Sequence, residues 1–309
     1  MIENKTILIT GGAGFIGSNL ALALSSKNKV IILDNLTTGS EDNIIDLKVD
    51  FRQGDTSQVK ELVPEKVDFI LHLGMASSTT LYLENKLLVG SQINGSIKIF
   101  EKAIKDKAKL VIASSSSLYN HGQYPSVEEQ DIKVTDFYTE CRLSIERLAH
   151  LYSDLHGMNA VCLRMFSVYG GKRELNKGPF MNMVVKFILK ISQGQNPISY
   201  DIRPKEIERD FVFIDDVVSA WLLAMEYRKE NFSVFNLGSG QKYSFGRVVS
   251  IISDVLGKNA QLEYESNPLP NLVFQNWANT QKAEKELGFK AIFSLKDGIA
   301  ETWNFLKKQ

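Results

Sequence analysis

Cysteine is nearly absent. The 309-residue chain holds only Cys141 and Cys162, too few for a disulfide framework at this length, which fits a reducing compartment and two small buried side chains. Histidine is almost as scarce. His72, His121, His150 and His156 show no His-x-x-His spacing, and the cysteines no Cys-x-x-Cys spacing, so a zinc centre lacks its ligand set and no metal is expected. Net charge is missing as well, because 36 Lys plus Arg balance 36 Asp plus Glu, and the basic excess that nucleic acid demands is not there. The first ten residues contain no basic segment leading into a long apolar stretch, and no later apolar run nears the ~20 residues of a membrane span. These absences point to a cytoplasmic protein that serves neither nucleic acid nor membrane.

What is present is a rhythm. Short β-branched runs at 6–10 (TILIT), 29–34 (KVIILD), 67–73 (VDFILHL), 109–114 (KLVIAS) and 159–165 (NAVCLRM) alternate with amphipathic segments of helical length. The runs are apolar throughout, so both sheet faces should be covered, and the prediction is α/β: a doubly wound parallel sheet of Rossmann type. Past residue 171 the pattern loosens into Gly-, Pro-, Asn- and charge-rich loops around a predicted helix at 180–192. FVFIDDVVSAWLLAMEY then reads as a strand end and helix returning to the sheet, with another strand at 234–238. The expected organisation is a Rossmann domain over 1–170, continued by 209–239, with a smaller, discontinuous C-terminal substrate-binding lobe over 171–208 and 240–309.

The first strand runs into Gly11-Gly12-Ala13-Gly14-Phe15-Ile16-Gly17 and then an apolar helical segment. Glycines at 11, 14 and 17 in a first strand-to-helix turn aim backbone N–H groups and a helix N-terminus at a pyrophosphate. Asp34 ends the second strand, where a carboxylate can accept both hydroxyls of an adenosine ribose. Its charge would repel a 2′-phosphate and no cation follows in DNLTTGS. NAD is the expected cofactor.

The strand KLVIAS delivers Ser114 to Ser117, Leu118 and Tyr119 to the carboxyl edge of the sheet, where open α/β folds bind ligands. Further on, Tyr138 and Arg142 stand i, i+4 at the start of a predicted helix and share one face. With TGGAGFIG at 10–17, DNLTTG at 34–39, GD at 54–55, HL at 72–73, LRMFSVYG at 163–170, RDFVFIDDV at 209–217 and FNLGSG at 235–240, the chain resembles extended short-chain dehydrogenase/reductases of the NAD-dependent nucleotide-sugar epimerase/dehydratase family.

That resemblance implies a nucleotide-sugar epimerase, acting at C4 of a UDP-hexose through a transient 4-keto intermediate. It makes Ser115, Tyr138 and Arg142 catalytic, with Tyr138 as the base toward the sugar hydroxyl. It places cofactor contacts at Gly11, Gly14, Phe15, Ile16, Gly17, Asp34, Asn35, Asp55, Thr56, Leu73, Tyr138, Arg142 and Met165. Substrate contacts fall at Ser115, Ser117, Tyr138, Ser167 and Arg209. A tyrosine working as a base near pH 7 needs about 4 kcal/mol of differential stabilisation of its phenolate, which calls for a neighbouring cation. The family supplies a lysine; this chain has Arg142. Ser167 and Gln92 stand where the family has Asn, and 267–279 lacks the family's diphosphate-clamping Arg; Arg173, Lys177, Arg203 and Lys205 read first as solvated loop cations and second as its replacements. Two alternatives stay open: a dehydratase or decarboxylase of the same family, which Ser116-Ser117 in place of Asp-Glu disfavours, or a catalytically impaired homologue that binds NAD and a sugar nucleotide. The family also implies a homodimer built from the helix around 85–106 and the Tyr138 helix. The stripes Ile97, Phe100, Ile104 and Leu143, Leu148, Leu151 suit that role or packing within the chain.

Overall fold

The computed structural model describes residues 2–202, 206–266 and 273–308; Arg203 and Lys205 lie outside them. Seven strands form one parallel sheet: β1 (Thr6–Thr10), β2 (Lys29–Asp34), β3 (Asp50–Gln53), β4 (Phe69–His72), β5 (Lys109–Ser115), β6 (Ala160–Met165) and β7 (Phe232–Leu237), in the order β7-β6-β5-β4-β1-β2-β3. The expected doubly wound sheet is therefore present. Its order reverses between β1 and β4, the switch point outside which α/β sheets bind ligands. Register sets Thr10 beside Leu33 and His72, and His72 beside Ile112, which brings the carboxyl ends of β1, β2, β4 and β5 together. β3 is the strand the sequence pattern does not pick out. Its residues DFRQ include one apolar side chain, Phe51, and are at most half-buried, as an edge strand allows.

Helices α1 (Phe15–Leu24), α2 (Thr79–Glu84), α3 (Leu88–Asp106) and α4 (Phe137–His156) serve this sheet. α4 begins with a reciprocal cap in which the Asp136 carboxylate accepts from the Thr139 N–H at 2.8 Å and Thr139 Oγ1 accepts from the Asp136 N–H, and it ends at Gly157 in the left-handed region. Tyr138 and Arg142 thus sit in its first turns. α3 and α4 pack on each other, with Phe100 edge-on to Tyr152. Of the two apolar stripes, Phe100 and Leu143 are buried within the chain whereas Leu151 is exposed. No helix among the described residues is long and apolar enough to cross a membrane.

The chain divides into two compact units, one of residues 1–118, 134–164 and 218–235, the other of 119–133, 165–217 and 236–309. The second unit carries one correction. Phe211–Phe213 does not rejoin the large sheet but forms its own parallel ladder with Ser167–Tyr169, because the three residues are a short, separately paired strand running straight into the helix Ile214–Glu226. The helix expected at 180–192 starts at Met183, capped by Asn182, after a 3₁₀ stretch over Lys172–Phe180 containing Pro179. Asp210 ties the second unit together, accepting from the Ser239 N–H and Oγ, the Gly240 N–H and the Ala278 N–H at 2.6–3.1 Å.

Candidate active site

The glycine turn is shaped by close approach. Gly11 has φ of +68°, and a Cβ there would stand 2.6 Å from the Leu73 carbonyl; a Cβ on Gly17 would stand 2.3 Å from the Gly11 carbonyl. Gly14 differs, since a Cβ would meet only the Gly11 carbonyl at 3.2 Å, so its lack of a side chain leaves space above the turn. Gly14 is also the N-cap of α1. No side chain caps that helix and no acidic residue occupies its first turn, which leaves its positive end for an anion. Phe15 and Gly17 are buried behind it and Ile16 is half-buried.

Asp34 is buried and accepts from the Ala13 N–H at 2.9 Å and the Leu36 N–H at 2.8 Å. Burial raises its carboxyl above the usual range, against these backbone bonds. Asn35 donates to Asp55 at 3.3 Å, and Asp55 caps the following turn by accepting from the Ser57 N–H. Thr56 is buried where α3 approaches, and only glycine fits at 95, because a Cβ would meet Thr56 Oγ1 at 2.2 Å. These residues fit a dinucleotide with free ribose hydroxyls: a bare helix end for the pyrophosphate and a carboxylate at the end of β2.

Ser115 closes β5, with its Oγ accepting from the Ser117 N–H and donating to Ser117 Oγ, both at 3.1 Å. Below it, Ser114 donates to Glu146, whose carboxylate also takes two bonds from Arg164, at 3.0 and 2.6 Å. Arg142 is bound differently. It is 4% exposed, and its guanidinium donates to the Met75 sulfur at 2.8 Å, the Ala76 carbonyl at 2.8 Å and the Ala113 carbonyl at 3.4 Å. Its Nε has no partner, and its carbon lies 5.1 Å from the Tyr138 ring centre. Among the described residues no carboxylate bonds to it. Burial works against its charge, but the oxygens of Tyr138 and Tyr82 and the Cys141 thiol prevail and hold the guanidinium above its ordinary value. His72, bonded to Thr10 and Ser96, is driven down to about 3 by burial and by the Arg142 charge, so it stays neutral.

The first unit thus gathers the glycine turn, Asp34, Asp55, Leu73, Ser115, Ser117, Tyr138 and Arg142. Ser167, Met165 and Arg209 belong to the second unit. There Ser167 is half-buried in its ladder, and Arg209 donates to the carbonyls of Glu208, Val273 and Phe274. Burial lowers Arg209 to about 10. Of the replacement cations, Arg173 is buried and Lys177 is half-buried, pulled down by burial and held up by Glu174. Sequence reasoning missed Tyr82, Met75 and Ala76 around Arg142. They fall in 74–90, a stretch without β or helical periodicity of its own, and the available signal was only its position after β4.

Comparison with known proteins supports the fold and the cofactor. Residues 7–238 match the model of the NAD dependent epimerase/dehydratase family. A putative UDP-glucose 4-epimerase of Methanocaldococcus jannaschii is 34% identical over 311 aligned positions, covering 97% of this chain and 98% of the relative. Among solved structures, UDP-glucose 4-epimerase of Thermotoga maritima with UDP-glucose superposes with a TM-score of 0.88 at 26% identity, covering 98% of this chain and 99% of that one. UDP-N-acetylglucosamine 4-epimerase of Methanobrevibacter ruminantium, in complex with UDP-N-acetylmuramic acid, gives 0.90 at 25% identity with both chains fully covered.

Proposed function

The chain belongs to the NAD-dependent epimerase/dehydratase family, and we propose that it is a nucleotide-sugar epimerase inverting C4 of a UDP-hexose through a transient 4-keto sugar. The observation that carries this reading is a buried, carboxylate-free Arg142 beneath the Tyr138 ring at the carboxyl edge that also holds Ser115 and the glycine turn. A cation without a counter-ion favours negative charge on the nearest titratable oxygen. Tyr138 is the group that takes the proton from the sugar 4-hydroxyl and later returns it. Ser115, held toward Ser117, donates to the same sugar oxygen and fixes its orientation. Asp34 accepts the adenosine ribose hydroxyls, and Gly14, in a turn that Gly11 and Gly17 allow to close, leaves room for the pyrophosphate. NAD, when bound there, supplies the hydride acceptor and donor.

In the second unit, Arg209 and Ser167 are assigned the diphosphate, to which Arg209 offers a charge-assisted donor. The domain roles follow: a Rossmann portion for NAD and a C-terminal lobe for the substrate. Exposed Leu83, Leu87, Leu151 and Leu155 on and beside α2, α3 and α4 support a homodimer formed through these helices. Dehydration is less well supported, since Ser116-Ser117 offer no carboxyl group and Glu146 is engaged by Arg164. Incubation with UDP-glucose or UDP-N-acetylglucosamine, followed by anomeric-proton NMR, should show the galacto epimer. Tyr138→Phe should slow its appearance by about 100-fold or more with NAD still bound. Failure to interconvert any UDP-hexose with NAD bound and the fold intact would overturn the reading.

A further inference from the structure

One of the Arg142 acceptors is itself held at both its backbone groups. The Ala76 carbonyl accepts both from Arg142 at 2.8 Å and from the Tyr82 hydroxyl at 3.3 Å, while the Ala76 N–H donates to Gln92 Oε1 at 3.1 Å. Gln92 reaches it from α3 and is itself buried; Tyr82, wholly buried on α2, stands edge-on to Tyr138 with ring centres 5.6 Å apart. Ala76 lies in an otherwise irregular stretch after β4, where nothing in a sheet ladder would fix it. A guanidinium is planar and directional, so its charge is placed only as well as its acceptors are.

We propose that Gln92 and Tyr82 are positioning residues for the epimerase reaction, fixing the Ala76 backbone at its N–H and at its carbonyl so that Arg142 holds its charge against the Tyr138 phenol. The inference rests on the epimerase reading. It also accounts for Gln92, because the added methylene relative to an asparagine is what spans from α3 to the Ala76 N–H. The titratable groups facing the pair are Tyr82 from α2, His72 from β4, and Cys141 and Glu140 from α4 itself. His72 is neutral, and burial keeps the Tyr82 phenol and the Cys141 thiol protonated. Loosening the guanidinium should therefore act on Tyr138 alone.

The sign follows. A less firmly held cation stabilises phenolate less, so less base is present at neutral pH and the acid limb of the rate profile moves to higher pH. In the NAD-loaded protein, Gln92→Asn and Tyr82→Phe should each lower kcat about 5- to 10-fold at pH 7, a shift approaching one pH unit. KM should change less than about twofold, with the loss fading by pH 9. Ser91→Ala, on the exposed side of α3, is the control for helix damage. In an Arg142→Lys background, Gln92→Asn should add less than about twofold, since no guanidinium remains to be positioned. A loss equal at all pH values, or one that multiplies fully with Arg142→Lys, overturns the proposal. Should no UDP-hexose turn over, the epimerase reading fails, and the clamp is read by phenolate absorbance, each NAD-loaded protein against its own Tyr138→Phe counterpart. A rise of the Tyr138 titration in both variants supports the clamp; an unmoved titration overturns it.

Discussion

Two arginines of the sheet unit are buried to the same 4% exposure and are treated in opposite ways. Arg164, on β6, meets Glu146 across two short bonds, at 3.0 and 2.6 Å. Arg142, two turns down α4 from its cap, meets a thioether and two carbonyls and no carboxylate among the described residues. The first arrangement cancels a charge where the fold has to bury it. The second keeps one in force, since carbonyls satisfy N–H donors without neutralising the cation, and the field then falls on the phenols beside it. Equal burial therefore says little about role, and the partner's charge says much.

The largest expected effect separates these roles directly. Arg164→Met leaves the Glu146 carboxylate buried without its cation and should cost about 3–5 kcal/mol of stability in denaturant unfolding. Arg142→Met removes a charge that has no counter-ion, so it should cost no more than about 1 kcal/mol while turnover falls at least about 100-fold. If Arg142→Met unfolds the chain as Arg164→Met does, the contrast between them collapses. Smaller in size is the effect of Arg142→Lys. A lysine in this dry place can give up its proton where arginine cannot. Its charge is lost as pH rises through its folded value, so turnover relative to the native chain should decline about tenfold between pH 7 and pH 9. A ratio constant with pH would show that charge is not what the guanidinium contributes.

The sequence made the sheet and the cofactor turn legible and left the clamp obscure, for a physical reason. β1, β2, β4 and β5 are buried on both faces, so their apolar runs announce them, whereas β3 is an edge with polar residues and its pattern is silent. Gly11 and Gly17 are visible because backbone approach leaves no room for a side chain, and Gly14 because the space above the turn has to stay open. Arg142 was visible as a departure in type, but its partners are two main-chain carbonyls and a methionine sulfur, and main-chain atoms leave no trace in a residue pattern. Gln92 shows the same limit from the other side, since its change of type is readable but its partner, the Ala76 N–H, is not. The short strand at 211–213 reads like any other apolar strand. Its pairing with 167–169 depends on long-range contacts that no local period encodes.

A separate effect, on stability alone, concerns the opposite end of β5, where Lys109 supplies an internal measure of what burial does to a cation that no carboxylate among the described residues pairs with. Its amine donates to the Asn159 side chain and lies 5.6 Å from the Tyr227 ring centre. Burial, with the Arg228 charge adding to it, pulls it down to about 7 from an ordinary 10.5. The folded value is the depressed one, so between pH 7 and 10.5 the unfolded chain holds more protons and stability rises with pH. Lys109→Met removes that dependence. From pH 7 to pH 9.5 the native chain should gain about 2–4 kcal/mol on the variant in urea unfolding, whereas parallel curves would mean that the site is wet enough to keep its charge. A lysine that yields its proton at one end of the strand, against an arginine that keeps its own near the other, gives the physical reason for a guanidinium at 142: in a site this dry, with only neutral acceptors among the described residues, it is the cation that stays charged at the pH where we propose the phenol acts.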